Sequence, residues 1–160
     1  MIEYIQGDAT EPQGDGPKVL VHLCNDLGRW GKGFVVALAN RWPASRQAYL
    51  DWAYGRIHHP FRVGEVQFVK VAEQLWVANV IALRGIAERI GDRPIRYDAV
   101  QTGLTKVGQF ATHKGASIHM PLIGTGLAGG SWVVIKNIID LVLRDHNVFV
   151  YSLGDERLFK

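Results

Sequence analysis

Two glycine-rich segments carry residue types that suit the binding of a phosphate. Each follows a strand-like run and precedes a helix-like run; they are Asn25–Phe34 and Pro121–Gly130. Glycine allows positive φ and a close approach of backbone to a ligand, and the free N–H groups at a helix start favour anions. Gly31, Lys32 and Gly33 are therefore candidate ligands of a diphosphate, although the first segment alone fits an ordinary tight turn equally well.

The second segment matches the dinucleotide fingerprint G-x-G-x-x-G through Gly124, Gly126 and Gly129. In a dehydrogenase that fingerprint opens the domain, and an acidic residue follows about 20 positions later at the end of the next strand. Here one helix and one strand remain, and the nearest acids, Asp155 and Glu156, lie beyond them. We therefore exclude a dehydrogenase, but two phosphate-binding loops in so short a chain still predict a ligand site.

Other reactive side chains give weaker signals. Cys24 borders the first glycine segment, but no base is paired with it in the sequence, so a small buried thiol is the simpler interpretation. His58 and His59 are adjacent and have no third ligand at metal spacing, which argues against zinc. We expect neither a metal nor a cofactor.

Strands and helices alternate along the chain. The predicted strands are Ile2–Ile5, Lys18–Leu23, Glu65–Val71, Leu75–Leu83, Ser117–Met120 and Asn147–Leu153. The predicted helices are Gly33–Arg41, Pro43–Tyr54, Ile95–His113 and a run that starts near Ser131, a good N-cap. This alternation predicts an α/β fold whose parallel or mixed sheet is covered on both faces.

The composition fits one domain, with 160 residues of which 48% are apolar and 21% charged. The net charge of +3 is spread along the chain, so it favours anionic partners without indicating nucleic acid. No apolar run approaches the ~20 residues that span a bilayer, and Met1–Tyr4 lacks the pattern of a signal peptide. With Cys24 as the one cysteine and no spare apolar stripe, we expect a cytoplasmic monomer.

In combination, the motifs resemble those of the macrodomain family. They occur in order as Gly7-Asp8-Ala9-Thr10, Val21–Asn25, Gly28–Phe34, Met120–Leu127 and Trp132. The resemblance spans roughly Ile2 to Leu153 and implies a three-layer α/β/α fold with a mixed, mostly parallel sheet. It implies a single macrodomain over residues 1–160, with a core at about 2–153 and a polar tail at 154–160.

The resemblance also implies a site for ADP-ribose or a derivative. Asp8 would accept a hydrogen bond from the adenine amino group, with the Ala9 backbone nearby, and Asn25 would face the distal ribose. Taken alone, Asp8 fits a turn or cap residue. The remaining implied contacts lie in the two glycine loops: Gly31, Gly33 and Phe34, beside Lys32, on one side, and Gly124, Thr125, Gly126 and Leu127 on the other.

Two branches of the family are most similar to the segments His22–Asn25 and Arg41–Pro43. One contains ADP-ribose-1''-phosphate phosphatases, and in such an enzyme His22 would be the catalytic group and Asp26 an assisting one. Imidazole suits that role because it exchanges protons near neutral pH. On the strand pattern alone, however, His22 also fits a structural histidine that hydrogen-bonds at the end of the sheet.

The second branch contains hydrolases that release ADP-ribose from protein or nucleic acid through a lysine and an aspartate. Here Leu83 or Arg84 stands at the lysine position, and Ala128 or one of the glycines beside it at the aspartate position, so we do not expect the lysyl mechanism. A hydrolase with another mechanism and a reader that binds without hydrolysis stay open. The implied partners are ADP-ribose or a derivative and, in these alternatives, ADP-ribosylated protein or nucleic acid.

Overall fold

The computed structural model describes residues 2–154 of the chain. Its elements, in order, are β1 (Ile2–Gln6), β2 (Lys18–Asn25), α1 (Phe34–Arg41), α2 (Pro43–Ala53), β3 (Val66–Ala72), β4 (Leu75–Leu83), α3 (Tyr97–Lys114), β5 (Ser117–Pro121), α4 (Trp132–Val142) and β6 (Val148–Ser152). A short 3-10 helix, Gly126–Ala128, lies in the second glycine loop. Asp155, Glu156 and the rest of the tail after Gly154 lie outside the described residues.

The strands form one sheet in the order β1-β6-β5-β2-β4-β3. Every neighbouring pair is parallel except β3 and β4. These two are antiparallel because a tight turn joins them, in which Gln74 adopts a φ of 59°. The structure thus confirms the mixed, mostly parallel sheet that the sequence predicts.

Helices cover both faces of the sheet, and the alternation along β2 shows which face each residue meets. Val19 and Val21 pack in the cluster that contains α3 and α4. Leu20 packs with Leu38 of α1 instead, and Cys24 packs with Tyr49 and other side chains of α2. His22 shares the α1 and α2 face with Leu20 and Cys24, because successive side chains of a strand alternate.

Most element boundaries match the predictions to within one residue, and two differ by two residues, both for reasons of tertiary pairing. β2 extends past Leu23 to Asn25 because Asn25 still pairs with Leu83 of β4 across a bulge. α3 begins at Tyr97 rather than Ile95, since Ile95 forms a bridge with Leu83 and Arg96 has extended backbone. Ser131 takes the N-cap position of α4 as predicted, but its side chain makes no capping hydrogen bond.

Candidate functional site

A cleft of about 780 Å³ opens at the carboxyl ends of the parallel strands. β1, β6, β5 and β2 are neighbours, so the loops that leave them meet at one edge of the sheet. The walls of the cleft come from four segments: Gly7–Ala9, Lys32–Val35 with Ala37, Pro121–Ala128 and Tyr151–Gly154, with His22, Leu23 and Leu83 between them. The sheet order therefore brings the motifs that the sequence singled out into a common cavity.

The Asp8 turn forms one end of the cleft and is held rigidly. Oδ1 of Asp8 accepts hydrogen bonds from the N–H of Thr10 at 2.8 Å and from its hydroxyl at 2.7 Å. The carbonyl of Thr10 accepts in turn from the indole N–H of Trp42 at 2.8 Å. A carboxylate has about four acceptor positions, so Asp8 serves its own turn and can still accept a hydrogen bond from a ligand.

The side chain of Asn25 builds the first glycine loop. Its Oδ1 accepts from the N–H groups of Leu27 and Arg29 at 3.0 and 3.2 Å and from the hydroxyl of Tyr49 at 2.9 Å. Its Nδ2 donates to the carbonyl of Arg29 at 2.7 Å. The carboxamide therefore fixes the loop, and it borders a smaller chamber beside the cleft rather than the cleft itself. Its role toward a ribose stays a prediction.

The tip of the first glycine loop is open to solvent. Gly31, Lys32 and Gly33 are exposed, and Gly33 takes a φ of 77° as the N-cap of α1. Lys32, Gly33 and Phe34 line the cleft, whereas Gly31 borders the chamber. The indole of Trp30 is fixed by a 2.9 Å hydrogen bond to the carbonyl of Val35. Lys32 borders both the cleft and the chamber and brings a basic side chain to them.

The glycines of the second glycine loop differ in how closely their surroundings pack against them. Gly124 has a φ of 75°, and a Cβ there would lie 2.6 Å from Cδ1 of Ile95 and closer still to Cδ1 of Ile135. Gly126 has a φ of 66° with open space around it. The hydroxyl of Thr125 donates to the carbonyl of Leu122 at 2.8 Å. Packing therefore requires Gly124, while Gly126 leaves the cleft unobstructed.

His22 lies in the wall of the cleft and is 2% exposed. The rings of Trp30 and Phe34 cover it, with centroid distances of 5.2 and 6.2 Å. Its Nε2 lies 2.5 Å from Oδ1 of Asn79 on the neighbouring strand β4. Burial lowers the pKa of His22 to about 4, although the hydrogen bond to Asn79 acts to raise it. The imidazole is therefore neutral at pH 7.

The partners of Asn79 decide which nitrogen of His22 carries the hydrogen. Nδ2 of Asn79 donates to the carbonyl of Ser45 at 3.1 Å and to Oε1 of Gln67 at 3.0 Å. Nε2 of Gln67 donates in turn to the carbonyl of Ala48 at 2.9 Å, which fixes that amide as well. Oδ1 of Asn79 must then accept, so Nε2 of His22 carries the hydrogen. Nδ1 keeps its lone pair and has no partner within residues 2–154.

Asp26 lies outside the lining of the cleft. Its Oδ1 accepts a 2.8 Å hydrogen bond from the N–H of Gly85, in the loop after β4. Of the positions that a hydrolase of the second branch would use, Leu83 and Ala128 line the cleft with apolar side chains, and Arg84 does not line it. The catalytic assistance assigned to Asp26 stays a prediction, and its observed contact is with the Gly85 loop.

The sequence reasoning missed Tyr151, which lines the cleft at the end of β6. Its hydroxyl accepts from the N–H of Gln13 at 2.9 Å and lies 2.7 Å from Nδ1 of His119. The signal that marks it is its place at the carboxyl end of a parallel strand, where ligands bind in α/β sheets.

A second cavity of about 250 Å³ adjoins the cleft. The two cavities share six wall residues, Leu23, Lys32, Val35, Leu83, Leu127 and Ala128. The chamber alone is bordered by Cys24, Asn25, Arg29, Trp30, Gly31, Ile86, Ala87 and Pro94. Apart from Lys32, the shared boundary between the two cavities is apolar.

Residues 2–154 contain neither a metal-binding cluster nor a helix that could cross a membrane. No group of three or more His, Cys, Asp or Glu side chains is arranged to hold a metal ion there. Within the same residues, no helix has the length and apolar character needed to cross a membrane.

Several solved structures and curated proteins are similar to this chain, while no protein family model matches it. A macrodomain protein from Streptomyces coelicolor is 42% identical, with a TM-score of 0.84 over 96% of this chain and 100% of that one. A protein of unknown function from Bacteroides thetaiotaomicron is 47% identical, with a TM-score of 0.88 over 94% of this chain and 97% of that one.

The curated relatives differ in how much of their length the chain spans. The chromodomain-helicase-DNA-binding protein 1-like of Danio rerio is 30% identical over 156 residues, which are 92% of this chain and 15% of that protein. The ADP-ribose 1''-phosphate phosphatase of Lodderomyces elongisporus is 24% identical over 178 residues, covering 93% of this chain and 98% of that protein. The chain thus spans a small part of the first relative and nearly all of the second.

Proposed function

The chain belongs to the macrodomain family, and we propose that its cleft binds ADP-ribose or a close derivative. The observation that carries the proposal is that the Asp8 turn and both glycine loops line one cavity. At about 780 Å³, this cavity lies within the range of ~300–1,000 Å³ that small-molecule sites occupy.

The arrangement of the walls gives the ligand a direction. The adenine lies at Asp8 and Ala9, where the free acceptor positions of the carboxylate receive its amino group. The diphosphate passes between Lys32 and Gly33 on one side and Gly124–Leu127 on the other. The distal ribose then lies at the shared boundary with the chamber. Asp8 is the acidic side chain and Lys32 the basic side chain in the described lining of the cleft, and each lies where the amine or the anion of this ligand would need it.

Calorimetric titration of ADP-ribose into wild type and Asp8→Asn tests the proposal. Asparagine keeps one oxygen for the bonds from Thr10 but replaces the other oxygen by a donor, so adenine recognition fails while the turn survives. We expect an affinity at least about tenfold weaker in the variant, a loss of ~1.4 kcal/mol.

Asp15→Asn is the matched control, because it makes the same change at an exposed residue outside the described cleft lining, and we expect it to bind like wild type. No binding by wild type would refute the ligand assignment. Equal binding by Asp8→Asn would refute the role of the carboxylate.

Hydrolysis of ADP-ribose 1''-phosphate is a second candidate, favoured by the neutral His22 with a free lone pair on Nδ1 in the cleft wall. In this reaction, water attacks phosphorus and its proton passes to Nδ1, while the bond from phosphorus to the sugar oxygen breaks and that oxygen takes up a proton. Solvent does not reach Nδ1, so the ring of Trp30 or Phe34 must first shift. Release of inorganic phosphate from this substrate by wild type distinguishes a phosphatase from a reader.

The lysyl hydrolase mechanism has little support, since Leu83 and Ala128 offer neither a nucleophile nor a carboxylate at the shared boundary, and Arg84 lines neither cavity. Removal of ADP-ribose from protein or nucleic acid would therefore need a water-based mechanism, and modified protein or nucleic acid left untouched by the enzyme would refute it.

We further propose that the protein works as a monomer in the cytoplasm.

A further inference from the structure

The side chain of Tyr151 fastens the loop that follows the Asp8 turn. Gly14 and Gly16 of that loop have open space around them, so packing does little to hold it there. The N–H of Gln13 donates to the hydroxyl of Tyr151 at 2.9 Å, although the two residues lie 138 positions apart. This bond therefore ties the loop to the carboxyl end of β6.

Tyr151 also packs with the residues on either side of Asp8. A Cβ on Gly7 would lie 3.8 Å from Cδ1 of Tyr151 and 3.3 Å from Nε2 of Gln13. Ala9 is 4% exposed and belongs to the same core cluster as Tyr151. Gln13 thus lies beside Gly7 as well as on the tyrosine hydroxyl, so its position affects that of the turn.

The hydroxyl of Tyr151 is itself oriented by His119, a fully buried residue of β5. Nδ1 of His119 lies 2.7 Å from that hydroxyl, and its Nε2 lies 2.7 Å from the hydroxyl of Ser117. Burial lowers the pKa of His119 to about 4. At pH 7 the ring is therefore neutral, with one nitrogen that donates and one that accepts.

One assignment gives every hydrogen of this network an acceptor. Tyr151 accepts from Gln13 and donates to Nδ1 of His119, whose Nε2 donates to Ser117. The hydroxyl of Ser117 then donates to the carbonyl of Pro17 at 3.4 Å. With the opposite tautomer, the hydroxyl hydrogen of Tyr151 would lack an acceptor within residues 2–154. The network thus begins and ends in one loop, at Gln13 and at Pro17.

We propose that Tyr151 and His119 are positioning residues for the adenine end of the cleft, because they hold the loop at Gln13 and thereby keep Asp8 in place. The inference rests on the proposed function, since adenine at Asp8 is the group that is positioned. The hydroxyl of Tyr151 has a single hydrogen, which it donates to His119, so it has none to donate to the ligand. Its effect on affinity is therefore indirect.

Calorimetry of Tyr151→Phe with ADP-ribose and with AMP tests the proposal. The variant keeps the ring and removes the hydroxyl, so the N–H of Gln13 loses its acceptor. We expect both ligands to bind about fivefold more weakly, by similar factors, because AMP carries the adenine end alone. Amide hydrogen exchange without ligand should show faster exchange at Gln13.

Tyr97→Phe is the matched control. The hydroxyl of Tyr97 also accepts from a backbone N–H, that of Ser131 at 2.9 Å. Both residues lie outside the described lining of the cleft. The control therefore loses the same kind of hydrogen bond, and we expect it to bind ADP-ribose and AMP like wild type.

A double-mutant cycle tests whether His119 acts through the hydroxyl of Tyr151. His119→Leu removes the acceptor of that hydroxyl, and we expect it to weaken AMP binding as Tyr151→Phe does. The double variant should then lose no more affinity than either single variant. If His119→Leu does not fold, the affinities and the exchange rate of Tyr151→Phe still decide the role of the hydroxyl.

The outcomes separate the two proposals. If wild type binds neither ADP-ribose nor AMP, the proposed function fails. If wild type binds and Tyr151→Phe binds equally well, the positioning role alone is overturned. Losses that multiply in the double variant would overturn the coupling of His119 to the tyrosine hydroxyl.

Discussion

At the scale of single residues, the best-defined side chain of the site is His22. A chain of hydrogen bonds runs from the carbonyl of Ala48 through Gln67 to Asn79. Because Oδ1 of Asn79 must accept, Nε2 of His22 must be the donor. The hydrogen bonds of this chain thus come from side chains of β4 and β3, whereas the first glycine loop contributes the rings that cover the imidazole. We consider Asn79 a positioning residue, because it acts on the cleft through His22.

Substitution of Asn79 by leucine tests this arrangement. It leaves Nε2 of His22 and Oε1 of Gln67 without their shared partner, and an unsatisfied buried group costs about 1–3 kcal/mol. We therefore expect the free energy of unfolding in urea to fall by roughly 2–4 kcal/mol, whereas Asn40→Leu, at an exposed position of α1, should change it little. In wild type, ¹⁵N NMR of the imidazole should show hydrogen on Nε2. Hydrogen on Nδ1 would contradict the assignment.

At the scale of elements, the two glycine loops are held in shape by different interactions. The first is shaped by a side chain, since Asn25 binds the backbone of Leu27 and Arg29. The second is shaped by close packing, because Gly130 donates to the carbonyl of Gly124 at 2.7 Å and no Cβ fits between them. Similar glycine content therefore arises from two different constraints.

A pair of alanine substitutions in the second loop separates packing from backbone conformation. Gly126→Ala adds only the cost of a positive φ, about 1–2 kcal/mol. Gly124→Ala adds the same cost and also a clash with Ile95 and Ile135, which brings the expected loss of unfolding free energy to about 3 kcal/mol or more. Thermal and urea unfolding of both variants measure the difference, and equal losses would show that Ile95 and Ile135 move aside freely.

The pattern of the chain predicted the elements well, since apolar periodicity records which face is buried. The predicted bounds of Leu75–Leu83 are those of β4, and the motifs around Asp8, Gly33 and Gly124 do line one cavity. The orientation of the Asn25 side chain toward its own loop could not be predicted. It depends on a hydrogen bond from Tyr49, which is 24 positions away and belongs to another element. The 3-10 turn at Gly126–Ala128 was missed for a similar reason, as Ile95 donates to the carbonyl of Ala128.

At the scale of the whole molecule, two buried histidines make the fold sensitive to acid. His119 is fully buried, with Nε2 2.7 Å from the hydroxyl of Ser117 and its ring stacked on Phe149. Burial, and to a smaller extent the charge of Lys18, lower its pKa to about 4, the value that burial also gives His22. Both rings are therefore neutral in the native state across the physiological range.

The unfolded chain takes up protons on these histidines below its ordinary pKa of 6.5, whereas the native state does not until about pH 4. Stability is therefore complete above pH 6.5 and falls as the pH drops toward 4, by roughly 2 kcal/mol per histidine between pH 7 and pH 5. Urea unfolding at these two pH values measures the loss. His113→Ala, which removes an exposed histidine of α3, should show the same loss as wild type. Equal stability at pH 7 and pH 5 would contradict the expectation.

The pairing of β1 with β6 has a consequence for how the protein is made. The described neighbour of β1 in the sheet is β6, and the N–H of Gly7 donates to the carbonyl of Ser152 at 2.9 Å. The Asp8 turn is thus translated well before its partner strand, and it gains its place in the sheet only when residues 148–152 have been synthesised. Contacts so distant in sequence form slowly. A growing chain therefore has no complete cleft until β6 has been translated and has paired with β1.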